Sequence, residues 1–396
     1  MGKLFFTNSL TFLILHFQFL TNTMKQYYFK RFTLIVAIFL TGFQVAQAQK
    51  YSNEFLSIGI GARAHAMGGA VFASVNDVTA GYWNPAGLAN FGSDRGLQLG
   101  AMHAEWFAGI AKYDYLGATI PLANADRRIG LSMIRFGVDG IPNTLSLFED
   151  DGSVNYDNIV EFSAADYAFL LSYAQKMNLK NKDNNLYIGG NVKVVRRVIG
   201  TFANSWGFGI DLGMQYHTKR LKIGVVGRDL TSTFNAWKTN FSEEDKAVLL
   251  DTDNELPDVN SVEVTKPSIA VGLGYSFDFD NVTLTPEVSF VATTDGKRNT
   301  LIQGDPISID PGAGVELGYN DFLFFRAGVN QFQYEQDFDK TETLTMRPSL
   351  GVGLKLGRLQ LDYAFSNLGD NDNKFSHIIS LIFEMKAKNK QVVRGF

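Results

Sequence analysis

The chain has 396 residues, a formal charge of −4, no cysteine and 9 prolines, against 38 glycines, 33 phenylalanines and 15 tyrosines. Disulfides, thiol catalysis and cysteine metal sites are excluded, and without a basic face or tail nucleic acid is not an expected partner. Beyond residue 50 no apolar run approaches the roughly 20 residues that a membrane-crossing helix needs, so a bundle of such helices is excluded too.

A targeting signal comes first. Lys25, Lys30 and Arg31 form a positive region, Phe32 to Phe43 a 12-residue apolar core, and Ala46-Gln47-Ala48 a small-x-small cleavage site. Residues 1–48 are therefore expected to be a signal peptide carrying an upstream extension, with Met24 the true start and Gln49 the first mature residue. A pair of anchors built from Leu10 to Leu20 and Phe32 to Phe43 is the other reading. Both runs are short for spanning.

Residues 49–94 form the next unit. Its centre, Phe55 to Phe91, is rich in Gly and Ala, does not alternate, and ends on Tyr82-Trp83-Asn84-Pro85-Ala86-Gly87. Pro85 keeps Asn84 out of the helical region, so a short helix is expected to end at Tyr82–Trp83. Asn76 or Asp77 is its expected N-cap. Gly61, Gly68 and Gly69 permit close backbone approach to a wall. Such a segment in a barrel protein belongs in the lumen, as a plug.

From residue 95 to 386 the pattern is strand, turn, strand. Fourteen segments have period-two character or strand-like enrichment. They lie near Gly96–His103, Ile110–Pro121, Arg128–Gly137, Ala165–Met177, Leu186–Val198, Ser205–Thr218 and Leu221–Arg228. The rest lie near Pro267–Phe279, Val282–Ala292, Pro311–Tyr319, Phe322–Asn330, Arg347–Leu356, Leu359–Ser366 and His377–Met385. Trp206, Phe208, Ile210, Leu212, Met214 and Tyr216 share one face of their strand, with small or polar residues between them.

The connections alternate in length. Lys219–Arg220, Asp280–Asn281, Asn320–Asp321 and Gly357–Arg358 are short and polar, whereas Val138–Glu161 and Asp229–Lys266 are long. That alternation points to an all-β, 14-stranded antiparallel transmembrane barrel of the outer membrane, with short periplasmic turns and long extracellular loops. An even strand count places both termini, including a tail at residues 387–396, in the periplasm. A lumen of this width cannot be filled by wall side chains alone. A soluble propeller is disfavoured because no 40- to 50-residue repeat is present.

Catalytic chemistry is sparse. His16, His65, His103, His217 and His377 are scattered, no GxSxG elbow exists, and Gly59-x-Gly61-x-x-Ala64 follows no strand. Asp251, Asp253, Glu255 and Asp258 lack the glycine of a calcium loop and read as a solvated acidic loop. No cofactor or metal site is expected, and the role is expected to be non-enzymatic. The long loops carry Phe148, Tyr156, Phe162, Phe234, Trp237 and Phe241. These are candidate anchors for a protein partner. The same rings would also suit an aromatic girdle at the membrane or a cover over the lumen.

GARAHAMGGA followed by NDVTAGYWNPAGLA resembles the N-terminal signature of the PorV/PorQ family of Bacteroidota, relatives of the FadL-type fatty-acid channels. Arg63, Met67, Gly68, Gly69, Asp77, Trp83, Asn84, Pro85 and Ala86 carry the resemblance, with Asn76, Tyr82 and Gly87 beside them. It implies a FadL-like barrel of 14 strands and a protein-binding component of the type IX secretion machinery. The implied partners are translocon or attachment components and exported proteins with C-terminal sorting domains, within the lipid and lipopolysaccharide of the outer membrane. Gly68-Gly69 and Gly87-Leu88 depart from the PorV pattern and favour a paralogue. The alternative function is FadL-like transport of long-chain fatty acids or other hydrophobic small molecules.

Overall fold

A computed structural model describes residues 52–91, 95–106, 109–122, 126–149, 151–252, 254–256, 258–336, 340–367 and 375–386. The expected signal peptide, the mature start at Gln49, Asp253 and the tail at 387–396 lie outside the described residues.

The wall is a closed antiparallel barrel of fourteen strands. The first six are β1 (Arg95–Trp106), β2 (Ala111–Pro121), β3 (Arg127–Asn143), β4 (Val160–Met177), β5 (Asn185–Ile199) and β6 (Ala203–His217). Next, β7 runs as two collinear pieces, Leu221–Arg228 and Thr233–Thr239, both paired with β6. In β8 there are three pieces, Asn260–Thr265, Ser268–Tyr275 and Phe277–Phe279. The ring continues with β9 (Val282–Thr293), β10 (Ser308–Tyr319), β11 (Leu323–Gln336), β12 (Glu342–Leu356), β13 (Leu359–Asn367) and β14 (Phe375–Lys386). Pairs such as Leu99↔Phe383 join β14 to β1 and leave no free edge among the described strands, as a sheet that crosses a membrane requires.

Each of the fourteen expected strands is present. The alternation sorts outward from inward. On β6, Phe208 and Leu212 are 61% and 55% exposed while the intervening Asp211 is 4% exposed. Since Leu116, Leu131, Leu171 and Val192 are likewise exposed on neighbouring strands, the outer surface is an apolar band that only lipid covers favourably. In the three-residue link 320–322 between β10 and β11, Asn320 and Asp321 have positive φ, 52° and 51°, as a tight hairpin twisted with its strands requires.

One expected loop is partly strand. Asp229–Lys266 continues the wall as the second piece of β7 and the first piece of β8, with α3 (Glu243–Asp251) at its tip. The sequence hid this because Asp229 and Ser232 adopt left-handed backbone (φ 52° and 56°) and break the alternation, while Pro267 interrupts β8. Similarly, the Val138–Glu161 link shortens to 144–159, since β3 runs to Asn143 and β4 begins at Val160.

Residues 52–91 fill the lumen, as expected. A single 3-10 turn (Glu54–Leu56) leads into α1 (Ala62–Ala66), then α2 (Ala80–Trp83), then a second 3-10 turn over Pro85–Ala89. Ile60, Met67, Val71, Phe72, Val75, Val78 and Leu88 are all buried, at about 1.5–3 kcal/mol each for a large apolar side chain. Wall and plug meet backbone to backbone at Gly68. A Cβ there would lie 2.6 Å from Val329 N and 2.7 Å from its O, and φ is +60°. Opposite it, a Cβ on Gly328 would strike the backbone of Met67 and Gly68.

One local expectation is corrected. The N-cap of α2 is Thr79, and no side chain caps it. Instead Asp77 Oδ1 accepts from Thr79 N at 2.8 Å and Thr79 Oγ1 at 2.5 Å, a turn that precedes the helix by one residue. Gly61 does approach the wall as expected, its N–H donating to Met102 Sδ of β1 at 2.9 Å, while a Cβ there would meet Thr79 of the plug.

Candidate functional site

The barrel has a loop end and a turn end, and the plug divides the lumen between them. Its N-terminal arm reaches the loop end. There Ser52 Oγ and Asn53 Nδ2 meet Thr265 Oγ1 at 2.7 and 2.8 Å, and the Glu54 carboxylate pairs with Arg298 at 2.9 Å. The same Arg298 is gripped by Asp295 at 2.5 Å. Desolvation opposes its charge, but the two carboxylates outweigh this and hold the guanidinium above its usual range.

Under this arm lies a vestibule of about 450 Å³. Its floor is the plug. Trp83 sits edge-on to both Phe72 and Tyr82, with ring centroids 5.4 and 5.1 Å apart, and its indole Nε1 donates to Ile60 O at 2.8 Å. The Tyr82 hydroxyl donates to Leu56 O, and burial pushes that phenol above its ordinary pKa. His65 Nε2 lies 3.0 Å from Gly59 O, and desolvation lowers its pKa from 6.5 to about 4.

From the wall, Arg228 reaches over this floor, 4.8 Å from the Tyr82 ring and 5.3 Å from Phe72, a cation–π arrangement. Beside it, Lys193 Nζ bridges Asp229 at 2.6 Å and Asp211 at 3.2 Å. Leu56, Ile58, Leu170 and Val291 supply apolar lining. One side of the cavity is therefore aromatic and aliphatic, the other ionic, a lining suited to an amphipathic small molecule.

Most of the other motif residues hold the plug in place. Arg63 Nε donates to Glu316 Oε2 at 2.8 Å and its Nη2 to Ser74 at 3.2 Å. Arg326 Nε shares the same Glu316 oxygen at 2.6 Å and passes its Nη1 to Asp362 at 2.6 Å. Asn84 Nδ2 donates to Phe72 O at 3.0 Å and to Met214 O of β6 at 3.1 Å, while its Oδ1 accepts from Ala86 N at 3.2 Å. Pro85 packs against Gly189 and Gly213 of the wall, and Gly87 has no room for a side chain against Val75 O. Met67 is buried, and Gly69 lies against Trp83. Asn76, Asp77 and Arg63 border a second cavity of about 180 Å³ at the turn end.

The six loop aromatics do not form one patch; only Phe162 and Phe241 meet around a common ring. Phe162 and Phe241 sandwich Phe202, at 5.2 and 5.6 Å. Trp237, on β7 rather than in a loop, turns inward beneath Arg197 and donates to Glu263 at 2.8 Å. Phe234 faces outward, 51% exposed. Phe148 and Tyr156 stand in solvent at 65% and 74% exposure. Among the described residues no three His, Asp or Glu side chains are grouped as metal ligands would be.

The sequence singled out the plug motif and missed the wall half of the vestibule. Lys193, Asp211, Arg228 and Asp310 converge from four strands, marked only by their inward position on the alternation, and Asp229 joins them from the bulge after Arg228, where no alternation marks it.

No protein-family profile and no curated sequence matches the chain. Among solved structures, the toluene transporter TbuX of Ralstonia pickettii is 14% identical, with 83% of this chain and 99% of that chain covered, at a TM-score of 0.49. The toluene transporter TodX of P. putida is 13% identical over the same shares, also at 0.49. A FadL homologue of Pseudomonas aeruginosa is 14% identical over 82% and 96%, at 0.45. At these values the neighbours' substrates do not transfer to this chain.

Proposed function

We propose that this chain is a non-enzymatic outer-membrane barrel that takes an amphipathic or hydrophobic small molecule into the loop-end vestibule and admits it past the plug. One observation carries the reading: the vestibule floor is the plug itself, through Phe72, Tyr82 and Trp83. A molecule resting on those rings contacts the element that closes the lumen, so occupancy and plug position are coupled by direct contact. At about 450 Å³ the cavity lies within the usual range for small-molecule sites. The loop end is the extracellular end in this proposal.

The test is uptake of a fluorescent naphthalene-type solute into liposomes carrying the purified barrel. Wild type should show saturable uptake, and Trp83→Ala should change it several-fold. Identical uptake in the two proteins would count against the proposal.

A second reading, protein handling of the kind implied by the type IX resemblance, is favoured by Phe148 and Tyr156. Both rings stand exposed on an acidic loop, in which Glu149 accepts from Asn155 at 2.7 Å and Asn158 at 3.1 Å. Replacing both rings by Ser and recovering the protein from native membranes tests it. A partner bearing a C-terminal sorting domain, or a translocon component, should be lost while uptake persists.

A further inference from the structure

The outer face of the barrel is not uniformly apolar. Cross-strand register sets His103, Asp114, Arg135, Tyr167, Arg196 and Trp206 directly opposite one another on six consecutive strands, β1 to β6. All six point outward, because their inward neighbours Met102, Tyr113, Ile134, Ala168, Val195 and Ser205 are buried against the lumen. The next outward row toward the turn end includes Leu116, Phe169 and Phe208, and the row after it Leu131, Leu171 and Ile210. These side chains are 38–61% exposed and match hydrocarbon. One polar row therefore borders the apolar band on its loop side.

Both arginines lean away from that band. A Cβ on Gly137, two residues loopward on β3, would lie 2.7 Å from Arg135 Nη2, so the guanidinium lies over the glycine. Arg196 reaches loopward to Asn204 Oδ1 at 2.8 Å and stacks over Trp206 at 4.9 Å. Long cations at a membrane boundary snorkel in this way toward the head-group layer. Asp114 balances one charge of the row, accepting from His103 at 2.7 Å and lying 3.4 Å from Arg135. No carboxylate pairs with Arg196 among the described residues.

We propose that this β1–β6 wall is a site for phosphorylated lipid of the loop-side leaflet, with Arg135 and Arg196 on the lipid phosphates and Tyr167 and Trp206 at the acyl boundary. Arginine's planar fork suits phosphate, and an indole or phenol beside it is the usual tenant of the interface. The site is on the outer wall and is independent of the vestibule reading.

The experiment is native mass spectrometry of the detergent-purified barrel titrated with a bis-phosphorylated lipid A-type glycolipid, with its dephosphorylated form, and with inorganic phosphate. Wild type should retain the phosphorylated lipid at least tenfold better than the dephosphorylated one. The Arg135→Gln/Arg196→Gln protein should lose that preference, by about tenfold for each charge-assisted contact removed, while Arg135→Lys/Arg196→Lys retains most of it. Equal retention of both lipids by wild type would overturn the proposal. So would an unchanged preference in the double Gln variant, or equivalent binding of inorganic phosphate alone. Heat-dependent gel migration, read on the same samples, reports that each variant is folded, and both pairs of substitutions face away from the lumen.

Discussion

Gly68→Ala is the sharpest test of how the plug is held. Two costs act together. The residue sits at φ +60°, where a side chain costs about 1–2 kcal/mol. The new Cβ would also be placed 2.6–2.9 Å from the backbone of Val329. Backbone in a paired strand cannot swing aside as a flexible side chain can, so overpacking adds about 1–3 kcal/mol. The sum, about 3 kcal/mol, acts on the seated plug and not on the barrel, whose fourteen strands pair independently of it. A change of that size shifts the seated-to-unseated ratio by more than about a hundredfold. Planar-bilayer conductance reads the shift as more frequent openings. Limited proteolysis reads it as faster cutting within residues 52–91, with the barrel's heat-dependent migration unchanged. Gly152→Ala is the control: it also has positive φ, +81°, but nothing lies within 4 Å of its Cβ. Closed, protease-resistant Gly68→Ala protein would refute the reasoning, and so would a Gly152→Ala protein that opened equally.

Glu316→Gln leaves Arg63 and Arg326 converging on an uncharged amide, and unpairing a buried ion of this kind costs on the order of 3 kcal/mol. Faster plug proteolysis at low ionic strength is expected, and wild-type protection would count against the Arg63–Glu316 contact as a tether. A pH effect follows from His65, which is neutral when seated because desolvation lowers its pKa from 6.5 to about 4. An unseated plug binds the proton at the ordinary value, so seating is fully stable above about pH 6.5 and weakens as pH falls toward 4. His65 is only partly buried and lines the vestibule, which limits the loss to about 1–2 kcal/mol. Plug proteolysis scanned from pH 7 to 4 should accelerate in wild type and much less in His65→Gln, and parallel profiles would discard the assignment.

Much of the architecture was legible because a barrel wall obeys one local rule. Side chains alternate between lipid and lumen, so Trp206 to Tyr216 declared a strand and its outward face without any knowledge of the partner strands. The rule failed where backbone geometry was set by a neighbour. Asp229 to Ser232 bulge so that Asp229 can meet Lys193 on β5 and Thr233 in its own strand, and the alternation they disrupt concealed the continuation of β7. Likewise Phe234 and Trp237, read together as loop anchors, lie on opposite faces of one strand.

By itself, then, the sequence determined the fourteen-strand wall, the turn chemistry and a compact N-terminal segment too irregular to be wall, since each depends on neighbours two to four residues apart. Only the tertiary structure decided what the motif residues do. Arg63 meets Glu316, Asn84 meets Met214, and Trp83 becomes the floor of a cavity whose far side is Arg228. Those partners are separated by 130 to 253 positions, and barrel closure and strand register, which no local pattern encodes, bring them within reach.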